Sequence, residues 1–491
     1  MDIKLITHET MPKSVDTTAL FWFKDQKIET LQQCEATKVA KYLIEQEQFS
    51  GKSGEICATI LPNTANTINK IILVGLGEKE KVTREKVRTA TGKIIKKAKE
   101  LKTKELMLCM LPDILDIDEA NTIKLIAETI SLATYKFTKF KTKKQEPKIQ
   151  SIYINSSDSN FETALNEGLI LAETTNIARD LTADPANVLT PVELAKRAEK
   201  YGKEYGFKTE IFEEKKIQEL GMQAYYAVAK GSDDPPRFII MRYNGNPANS
   251  EDITALVGKG LCYDSGGLSL KQTKGMAMMK TDMAGSAAVI GAMCAIAKQK
   301  LKVNVVGIVA ACENILSAKS YKPGDIINSL GGKTIHIGNT DAEGRLTLID
   351  AVYYAVTAEK ATRVLDIATL TGACVAALGS RVSGVLASDD DFYNRLAKAS
   401  EITGELIWRL PTFDKYKKAI EHPEADLNNI GEGGAGTITA GLFIGEFTEG
   451  KPWIHMDIAG DAYAKADLGY IAKGPTGVGV RNLYYLVKSY C

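Results

Sequence analysis

The chain has 491 residues, with 62 Lys or Arg and 61 Asp or Glu, so its formal net charge is +1. This even balance gives no global attraction for nucleic acid or for an anionic membrane. The start, MDIKLITHET, lacks a basic region before an apolar run, and no apolar stretch reaches the ~18 residues that a membrane span needs. We therefore expect a cytoplasmic globular protein without a membrane partner and with two or more domains.

The first part of the chain alternates between strand-like and helix-like segments. The predicted strands are Ala19–Phe23, Lys70–Val74, Glu105–Met110 and Ile149–Ile154, and the predicted helices are Glu29–Gln46, Thr83–Leu101 and Ile117–Ala133. The alternation predicts a small α/β domain, and the polar break Ser156–Asn160 predicts its end. We assign residues 1–158 to this N-terminal domain and residues 159–491 to a larger second domain.

Two features of the N-terminal part leave other interpretations open. The segment Val74–Gly77 follows a strand as a dinucleotide-binding loop does, but the third glycine of that motif is missing, so a plain strand-to-helix turn is favoured. The basic run Lys136–Lys148 and the basic helix Thr83–Leu101 could contact nucleic acid, although such runs usually form solvated surfaces.

The second part predicts a larger α/β domain. A helix is predicted over Phe161–Leu181, and Thr190 as N-cap, with Pro191 and Glu193 after it, predicts another helix that ends near Tyr205. Further predicted strands are Lys208–Phe212, Phe238–Tyr243, Ile253–Val257, Lys302–Cys312, Arg363–Thr369 and Trp453–Ile458. Helices between these strands predict a central mixed, mostly parallel sheet that is covered on both faces.

Charged residues collect directly after the predicted strand Ile253–Val257. The segment LVGKGLCYDSGGLSLKQTKGMAMMKTD is rich in glycine and carries Lys259, Asp264, Lys271, Lys280 and Asp282. Ligand sites of open α/β sheets lie at the carboxyl ends of strands. This glycine-rich loop is therefore a candidate site.

A second candidate segment is Asn339–Leu346, with the sequence NTDAEGRL. On an extended backbone Asp341 and Glu343 point to the same side, and Arg345 continues that row. A plain salt bridge between Asp341 and Arg345 at a helix start is the alternative interpretation.

Together the two segments supply four carboxylates, from Asp264, Asp282, Asp341 and Glu343. Four carboxylates cannot crowd at strand ends unless cations neutralise them, and two divalent ions would balance them. Oxygen ligands in this number suit Mn, Mg or Zn, and bridging carboxylates set two ions ~3.5–4 Å apart, where a bound water loses its proton near neutral pH.

The basic residues of the two segments complete this hypothesis. A neighbouring dication would lower the pKa of Lys259 enough to free its amine as a ligand. Lys271 and Arg345 would stay cationic and face the negative charge that develops on an attacked carbonyl oxygen. Taken singly, either lysine would more often be a solvent-exposed side chain.

The two segments resemble the leucyl aminopeptidase (cytosol aminopeptidase) family of two-metal exopeptidases. The resemblance rests on VGKGLCYDSGGLSLK, KTDMAGSAAV and NTDAEGRLTLIDA, with the further blocks ARDLTADPANVLTP, DIATLTGA, HMDIAG and GPTGVGVR in the family's order. It covers Thr175–Leu486, whereas the region before about residue 160 is only loosely similar to the family's variable, macro-like N-terminal domain. It implies an aminopeptidase that releases Leu and other apolar N-terminal residues from peptides, and a homohexamer.

The resemblance also implies roles for the matching residues. One metal would be held by Lys259, Asp264, Asp282 and Glu343, and a more exchangeable one by Asp264, Asp341 and Glu343. Zn or Mn are the expected ions, with Mg or Co as alternatives. Lys271, helped by the Leu370 amide, would polarise the scissile carbonyl, and Arg345 would hold a bicarbonate ion that acts as general base.

The same resemblance implies a substrate site. Asp282 would also bind the free α-amine of the substrate, which explains an action confined to the first residue. The walls of the first-residue pocket would be Met279, Thr369, Gly372, Ala459 and Ala462. His455 is interpreted as a structural histidine, and Cys262 as a possible point of oxidation sensitivity.

Two other functions remain open at this stage. One is an additional DNA-binding or regulatory role, for which the basic segments of the N-terminal domain would be the surface. The other is a metallo-hydrolase that acts on phosphate esters, which would cleave nitrophenyl phosphate and ignore leucine anilides.

Overall fold

The computed structural model describes residues 1–7, 10, 12, 15–26, 35–62, 68–109, 118–143, 149–157 and 159–491. The chain forms two compact units, of which the smaller comprises Met1–Glu173 with Ala466–Lys473 and the larger comprises Thr174–Lys465 with Gly474–Cys491. The division falls within a helix that begins at Glu162. The domain boundary at residues 158 and 159 stays a prediction.

The smaller unit is built on a six-stranded sheet. Its strands β1 to β6 are Asp2–Ile6, Thr17–Phe23, Ile56–Pro62, Ile68–Gly77, Glu105–Cys109 and Ser151–Asn155, and its helices α1 to α3 are Glu35–Glu45, Arg84–Glu100 and Glu119–Thr134. Helix α4, Glu162–Ala183, belongs to it only as far as Glu173. The strand order is β1-β6-β5-β2-β4-β3, and only the β3–β4 pair is antiparallel within the described chain.

Alternate residues of β2 bury themselves on the two faces of this sheet. Phe21 and Phe23 pack with residues of α2 and α3, whereas Leu20 and Trp22 pack with residues of α1. The predicted α/β domain is thus confirmed, although β1 and β3 were not predicted. Both are edge strands with many half-exposed residues, so their hydrophobic pattern is weak. Residues 29–34, 110, 117, 144–148 and 158 of the predicted segments lie outside the described residues.

The glycines at the end of β4 serve close packing. A Cβ atom at Gly75 would lie 2.1 Å from the Lys52 carbonyl oxygen, so the neighbouring chain leaves room only for glycine. β4 continues through a short 3-10 turn, Lys79–Lys81, to the N-cap of α2 at Thr83. This agrees with a plain strand-to-helix connection.

The larger unit contains the remaining elements. Its strands β7 to β19 are Lys208–Glu213, Arg237–Asn244, Ile253–Asp264, Asn304–Asn314, Ile326–Asn328, Thr334–His336, Arg363–Ala368, Val382–Ala387, Leu406–Arg409, Leu427–Asn428, Trp453–Asp457, Tyr463–Ala464 and Gly474–Pro475. Its helices α5 to α15 are Pro191–Tyr205, Glu214–Glu219, Gln223–Ala229, Thr273–Met276, Ala284–Lys298, Gly344–Thr357, Gly372–Leu378, Asp390–Thr403, Asp414–Lys418, Gly436–Gly445 and Val480–Lys488. Thr190 caps α5 by accepting the Glu193 amide, as predicted.

The main sheet of this unit has the order β15-β14-β17-β13-β9-β10-β8-β7. The central strands β17, β13, β9 and β10 are parallel to one another, and antiparallel pairs join β14, β8 and β7 to them. The predicted mixed, mostly parallel sheet is therefore confirmed. Because the central strands are parallel, their carboxyl ends lie along one edge of the sheet.

Strand β9 is longer than the sequence predicts. The prediction ended it at Val257 because glycines follow, but the strand continues to Asp264. A Cβ atom at Gly258 would lie 2.7 Å from the Gly285 carbonyl oxygen, so this glycine permits close approach of α9 rather than a turn. Lys259 consequently lies inside a buried strand.

Residues 466–473, between β18 and β19, belong to the smaller unit. Tyr470 is buried in a cluster with Leu132 and Ala172, and its hydroxyl lies 3.4 Å from a Glu85 carboxylate oxygen. A Cβ atom at Gly92 would lie 2.9 Å from the Tyr470 backbone. The segment 466–473 thus takes part in the packing of the smaller unit.

Two further features concern the described residues as a whole. In that part of the chain, no helix combines the length and the apolar character that crossing a bilayer requires. No disulfide bond forms among the described cysteines, at positions 57, 109, 262, 294, 312, 374 and 491.

Candidate metal centre

Four parallel strands bring the site together at their carboxyl ends. Asp264 ends β9, Asn314 ends β10, Asp457 ends β17, and Thr369 directly follows β13. The predicted location at strand ends is therefore correct, although the strand that carries Lys259 extends further than expected.

The first half of the site surrounds Lys259, which is 3% exposed. Its Nζ lies 2.7 Å from Asp282 Oδ2 and 2.9 Å from Glu343 Oε1, and it donates a hydrogen bond to the Thr369 carbonyl oxygen at 2.9 Å. Thr369 Oγ1 donates to the other oxygen of Asp282 at 2.8 Å. One ammonium thus holds two acids from distant parts of the sequence.

The second half surrounds Lys271. Its Nζ lies 2.7 Å from Asp264 Oδ2 and 2.5 Å from Asp341 Oδ1. Asp264 is buried, whereas Lys271 and Asp341 keep 22% and 33% of their side-chain surface exposed. The opening to solvent is therefore on the side of Lys271 and Asp341.

Asn314 links the two acidic loops, and the sequence did not indicate it. Its Nδ2 donates to Asp264 Oδ1 at 2.8 Å and to the Thr340 carbonyl oxygen at 3.0 Å, and Tyr321 donates to that same carbonyl. The Gly266 amide also donates to Asp264 Oδ1. These donors leave Asp264 Oδ2 for Lys271 or for a cation.

The segment Asn339–Leu346 is not extended, so the predicted row of side chains is wrong. The Asn339 side chain accepts the Asp341 amide and forms a turn, Glu343 is the N-cap residue of α10, and Arg345 lies in the first turn of that helix. The alternative Asp341–Arg345 salt bridge does not form either, because Asp341 pairs with Lys271. The carboxylates still meet through the turn.

Charge and burial shift the pKa of both lysines and of three acids in this cluster. Burial alone would lower the pKa of Lys259 and Lys271, but the surrounding carboxylates raise both above the ordinary lysine value. Burial raises the pKa of Asp282, Glu343 and Asp341, with partial offset by the lysines. Two ammonium groups thus compensate half of the four negative charges. From the sequence, metal ions alone were expected to neutralise these charges.

The donor set fits a divalent metal ion. Carboxylate oxygens of Asp264, Asp341 and Glu343 lie within 4.8 Å of one another. The buried atoms Asp282 Oδ2 and Asp341 Oδ1 pair with the Lys259 and Lys271 ammonium groups, at 2.7 and 2.5 Å, and have no further hydrogen-bond donor among the described residues. Carboxylate oxygens that already bind a cationic group can bind a metal cation in its place, and hard oxygen donors suit Mn, Mg or Zn.

Arg345 lies beside this cluster and is 7% exposed. Its Nη1 donates to the Asn429 carbonyl oxygen at 2.7 Å, and its buried Nε has no hydrogen-bond partner among the described residues. Burial lowers its pKa to about 10, against the opposing effect of Glu343 and Asp457. The guanidinium can therefore bind an anion through its unpaired Nε–H.

Asn429 is a second residue that the sequence did not indicate. Its side chain accepts the Gly338 and Asn339 amides and donates to the Asn339 carbonyl oxygen. It thereby fixes the turn that carries Asp341, while its own carbonyl holds Arg345. Only the tertiary pairing of β12 with β16 brings it there.

The residues of the predicted first-residue pocket come from three segments. Met279 and Thr369 are half-buried, Ala462 is buried, and a Cβ atom at Gly372 would meet no atom within 4 Å. Lys280, in contrast, donates to the Ala183 carbonyl oxygen at 2.6 Å and pairs with none of the four acids. It anchors the Met279–Thr281 turn.

Asp457 connects two of these segments. Its Oδ1 accepts the amides of Leu370 and Ala459, each at 3.1 Å, and its Oδ2 accepts the Thr371 hydroxyl at 2.6 Å. The Leu370 amide, which was predicted to assist Lys271, is therefore engaged by Asp457. That assisting role stays a prediction.

His455 and Cys262 have structural surroundings. His455 Nδ1 lies 2.5 Å from Asp366 Oδ1, and Trp453 Nε1 donates to the other oxygen of Asp366. Cys262 is 1% exposed, and burial raises the pKa of its thiol well above the ordinary value. A buried thiol of this kind is inert, which argues against the oxidation hypothesis.

Comparisons with known proteins cover nearly the whole chain. Residues 176–484 match the catalytic domain of the cytosol aminopeptidase family, and residues 19–144 match the N-terminal domain of that family. A "Probable cytosol aminopeptidase" of Clostridium perfringens (strain 13 / Type A) is 50% identical, with 91% of this chain and 92% of that protein covered. Its namesake in Alkaliphilus oremlandii (strain OhILAs) is 46% identical, with 91% and 90% covered.

Two solved structures are also similar to this chain. The bottromycin maturation enzyme BotP superposes with a TM-score of 0.86 at 29% identity, with 97% of this chain and 99% of that chain covered. BotP in complex with Mn has the same TM-score at 30% identity, with 97% and 100% covered.

Proposed function

The chain belongs to the cytosol aminopeptidase family of metal-dependent aminopeptidases, and we propose that it is a leucyl aminopeptidase with a two-metal centre. Its substrates are peptides with Leu or another apolar residue at the N-terminus. The observation that supports this proposal is the cluster of three convergent acids, Asp264, Asp341 and Glu343, which two buried or half-buried lysines compensate only in part.

Two divalent ions would be held by this cluster. Lys259, Asp264, Asp282 and Glu343 would hold one ion, and Asp264, Asp341 and Glu343 would hold the other. Zn or Mn are preferred, with Mg or Co as alternatives. When bound, such ions act as Lewis acids on the scissile carbonyl and lower the pKa of a coordinated water.

Besides the metal ions, the Lys271 side chain supplies a positive charge at the reacting carbonyl. Its raised pKa keeps it an ammonium at neutral pH, so it donates hydrogen bonds and removes no proton. It lies on the more exposed side of the cluster, where a substrate enters. A preorganised cation there stabilises the negative charge that develops on the carbonyl oxygen.

Asp282 limits the reaction to the first residue. A carboxylate at this place attracts the free α-ammonium of a peptide, and Thr369 fixes its second oxygen. An internal peptide bond offers no such amine, so it gains nothing from this contact. The pocket walls Met279 and Ala462 then receive the apolar side chain.

Arg345 would bind the general base. Its buried Nε, free of partners in the described chain, and its fixed Nη1 suit a bicarbonate ion, which bidentate guanidinium contacts hold in place. The bound bicarbonate would take the proton of the attacking water. The bicarbonate site rests on the resemblance and on this unpaired donor.

Location and assembly complete the proposal. We place the enzyme in the cytoplasm, as the relatives' name "cytosol aminopeptidase" suggests, and we propose a homohexamer. Sedimentation of the purified protein measures the assembly directly, and a monomer would remove that part of the proposal.

Turnover of aminoacyl anilides tests the proposed reaction. The protein is stripped with a chelator, and Zn, Mn, Co or Mg is restored separately before hydrolysis of leucine, alanine and N-acetyl-leucine anilides is measured. We expect metal-dependent cleavage of the leucine anilide and none of the acetylated one. Indifference to leucine anilide combined with hydrolysis of nitrophenyl phosphate would replace the proposal with a phosphatase.

A further inference from the structure

Asp457 lies at the junction of the two loops that carry most of the first-residue pocket. It ends β17, is 0% exposed and lies between Ala368, the last residue of β13, and Gly384 of β14. The loop after β13 contains Thr369 and Gly372, and the turn after β17 contains Ala459 and Ala462. One carboxylate therefore has access to both loops.

Both oxygens of this carboxylate are used. Oδ1 accepts the Leu370 amide from one loop and the Ala459 amide from the other, each at 3.1 Å. Oδ2 accepts the Thr371 hydroxyl at 2.6 Å. Because an acceptor with fixed oxygens orients every donor at once, the relative position of the two loops depends on this side chain.

The hydroxyl network extends the link to a third element. Thr371 Oγ1 spends its single proton on Asp457, so at its 2.8 Å contact with Thr437 Oγ1 it must accept the Thr437 proton. It also accepts the Cys374 amide at 3.1 Å as the N-cap of α11. The start of α11, where Gly372 lies, is thereby tied to α14 through Thr437.

From these contacts we infer that Asp457 is a positioning residue that sets the width of the first-residue pocket and hence its selectivity among apolar side chains. The inference rests on the proposed function. It assigns the Leu370 and Ala459 amides to the scaffold, so these amides are not offered to a polar substrate side chain. The pocket walls then present mainly apolar surface to the substrate, which favours Leu over smaller residues.

The test compares Asp457→Asn with a matched control, Asp366→Asn. Asp366 is an equally buried acid on the neighbouring strand, but it contacts Trp453 and His455 rather than the pocket loops. For each protein, kcat and KM are measured on leucine and alanine anilides after Mn is restored. Inhibition constants for free leucine and free alanine report binding in the pocket without the chemical step.

Asp457→Asn should reduce the ratio of kcat/KM for leucine to that for alanine by about tenfold, mainly through KM for leucine. The inhibition constants should converge in the same way, and Mn affinity should not change. Asp366→Asn should keep the wild-type ratio. An unchanged ratio in Asp457→Asn, or an equal change in Asp366→Asn, would overturn the inference.

Thr371 variants decide the matter if Asp457→Asn does not fold. Thr371→Val removes the hydroxyl that Oδ2 accepts and should lower the leucine-to-alanine ratio, whereas Thr371→Ser keeps the hydroxyl and should restore it. Equal ratios in both variants would contradict the inference. Absence of wild-type activity on every aminoacyl anilide would instead refute the proposed function, so the two failures are distinguishable.

Discussion

When a metal ion binds, Lys259→Met should release one proton fewer than the wild type. The Lys259 ammonium lies 2.7 Å from Asp282 Oδ2 and 2.9 Å from Glu343 Oε1. An ammonium has no lone pair, so Lys259 can become a ligand only after it loses a proton. Metal loading at this site is therefore an exchange of a proton for a cation.

The size of the effect follows from the pKa of Lys259. The carboxylates raise it above the ordinary lysine value of about 10.4 despite burial. At pH 8 the pKa exceeds the pH by more than about two units, and at about 1.4 kcal/mol per unit the deprotonation costs at least about 3 kcal/mol. Because one proton leaves Lys259, this residue alone should make the metal affinity rise about tenfold for each unit by which the pH increases.

Titration calorimetry with Mn in two buffers of different ionisation enthalpy measures the protons released. The wild type should release about one more proton per site than Lys259→Met. Asp282 also releases a proton when the metal binds, and because Lys259 lowers the pKa of Asp282, this release is larger in Lys259→Met; Asp282→Asn is therefore added to both proteins so that it does not enter the comparison. Lys271→Met is the matched control, because it removes a neighbouring ammonium that keeps its proton, and its release should equal that of the wild type.

The reasoning fails if Lys259→Met and the wild type release the same number of protons. It also fails if the pH dependence of Mn affinity is the same in both between pH 7 and pH 9. Near-UV circular dichroism of each variant verifies that the packing of the larger unit is retained.

Three further predictions concern catalysis and stability. Lys271→Ala and Asp341→Ala should each lower kcat on leucine anilide by about 100-fold or more while circular dichroism stays native, and near-normal rates would contradict the assignment. Arg345→Met should lose any stimulation by added bicarbonate, which an assay in carbonate-free buffer measures, with about a 100-fold lower kcat than the wild type in bicarbonate. Burial raises the pKa of Asp461 to about 8, so the folded state binds the extra proton and the wild type should lose stability as pH rises from about 4 to 8. Denaturant unfolding at pH 6 and pH 8 should show that Asp461→Asn removes about 1–2 kcal/mol of that loss.

The sequence predicted the acids of the site because metal binding needs particular residue types at fixed places. Asp264, Asp341 and Glu343 were identifiable from the residue pattern alone, and they lie together in the fold. Their local geometry was not, because the turn at Asp341 depends on Asn429, which arrives from a distant segment. The two-residue spacing of Asp341 and Glu343 does not indicate hydrogen bonds from a distant residue.

The residues that the sequence missed depend on which strands are neighbours. Asn314 and Asp457 are polar residues at the ends of apolar strands, and only the order β17-β13-β9-β10 brings them to the same edge. The short strands β11, β12 and β16 were missed for a related reason, since they have too few residues to show a period.

The segment 466–473 has a consequence for how the protein is made. It supplies Tyr470 to the smaller unit, yet it follows residues Thr174–Lys465 of the larger unit in the chain. Domains usually fold as they leave the ribosome, N-terminal first. The smaller unit therefore lacks Tyr470 until the chain has been synthesised past the larger unit's residues Thr174–Lys465, so the cluster with Leu132 and Ala172 cannot form before then.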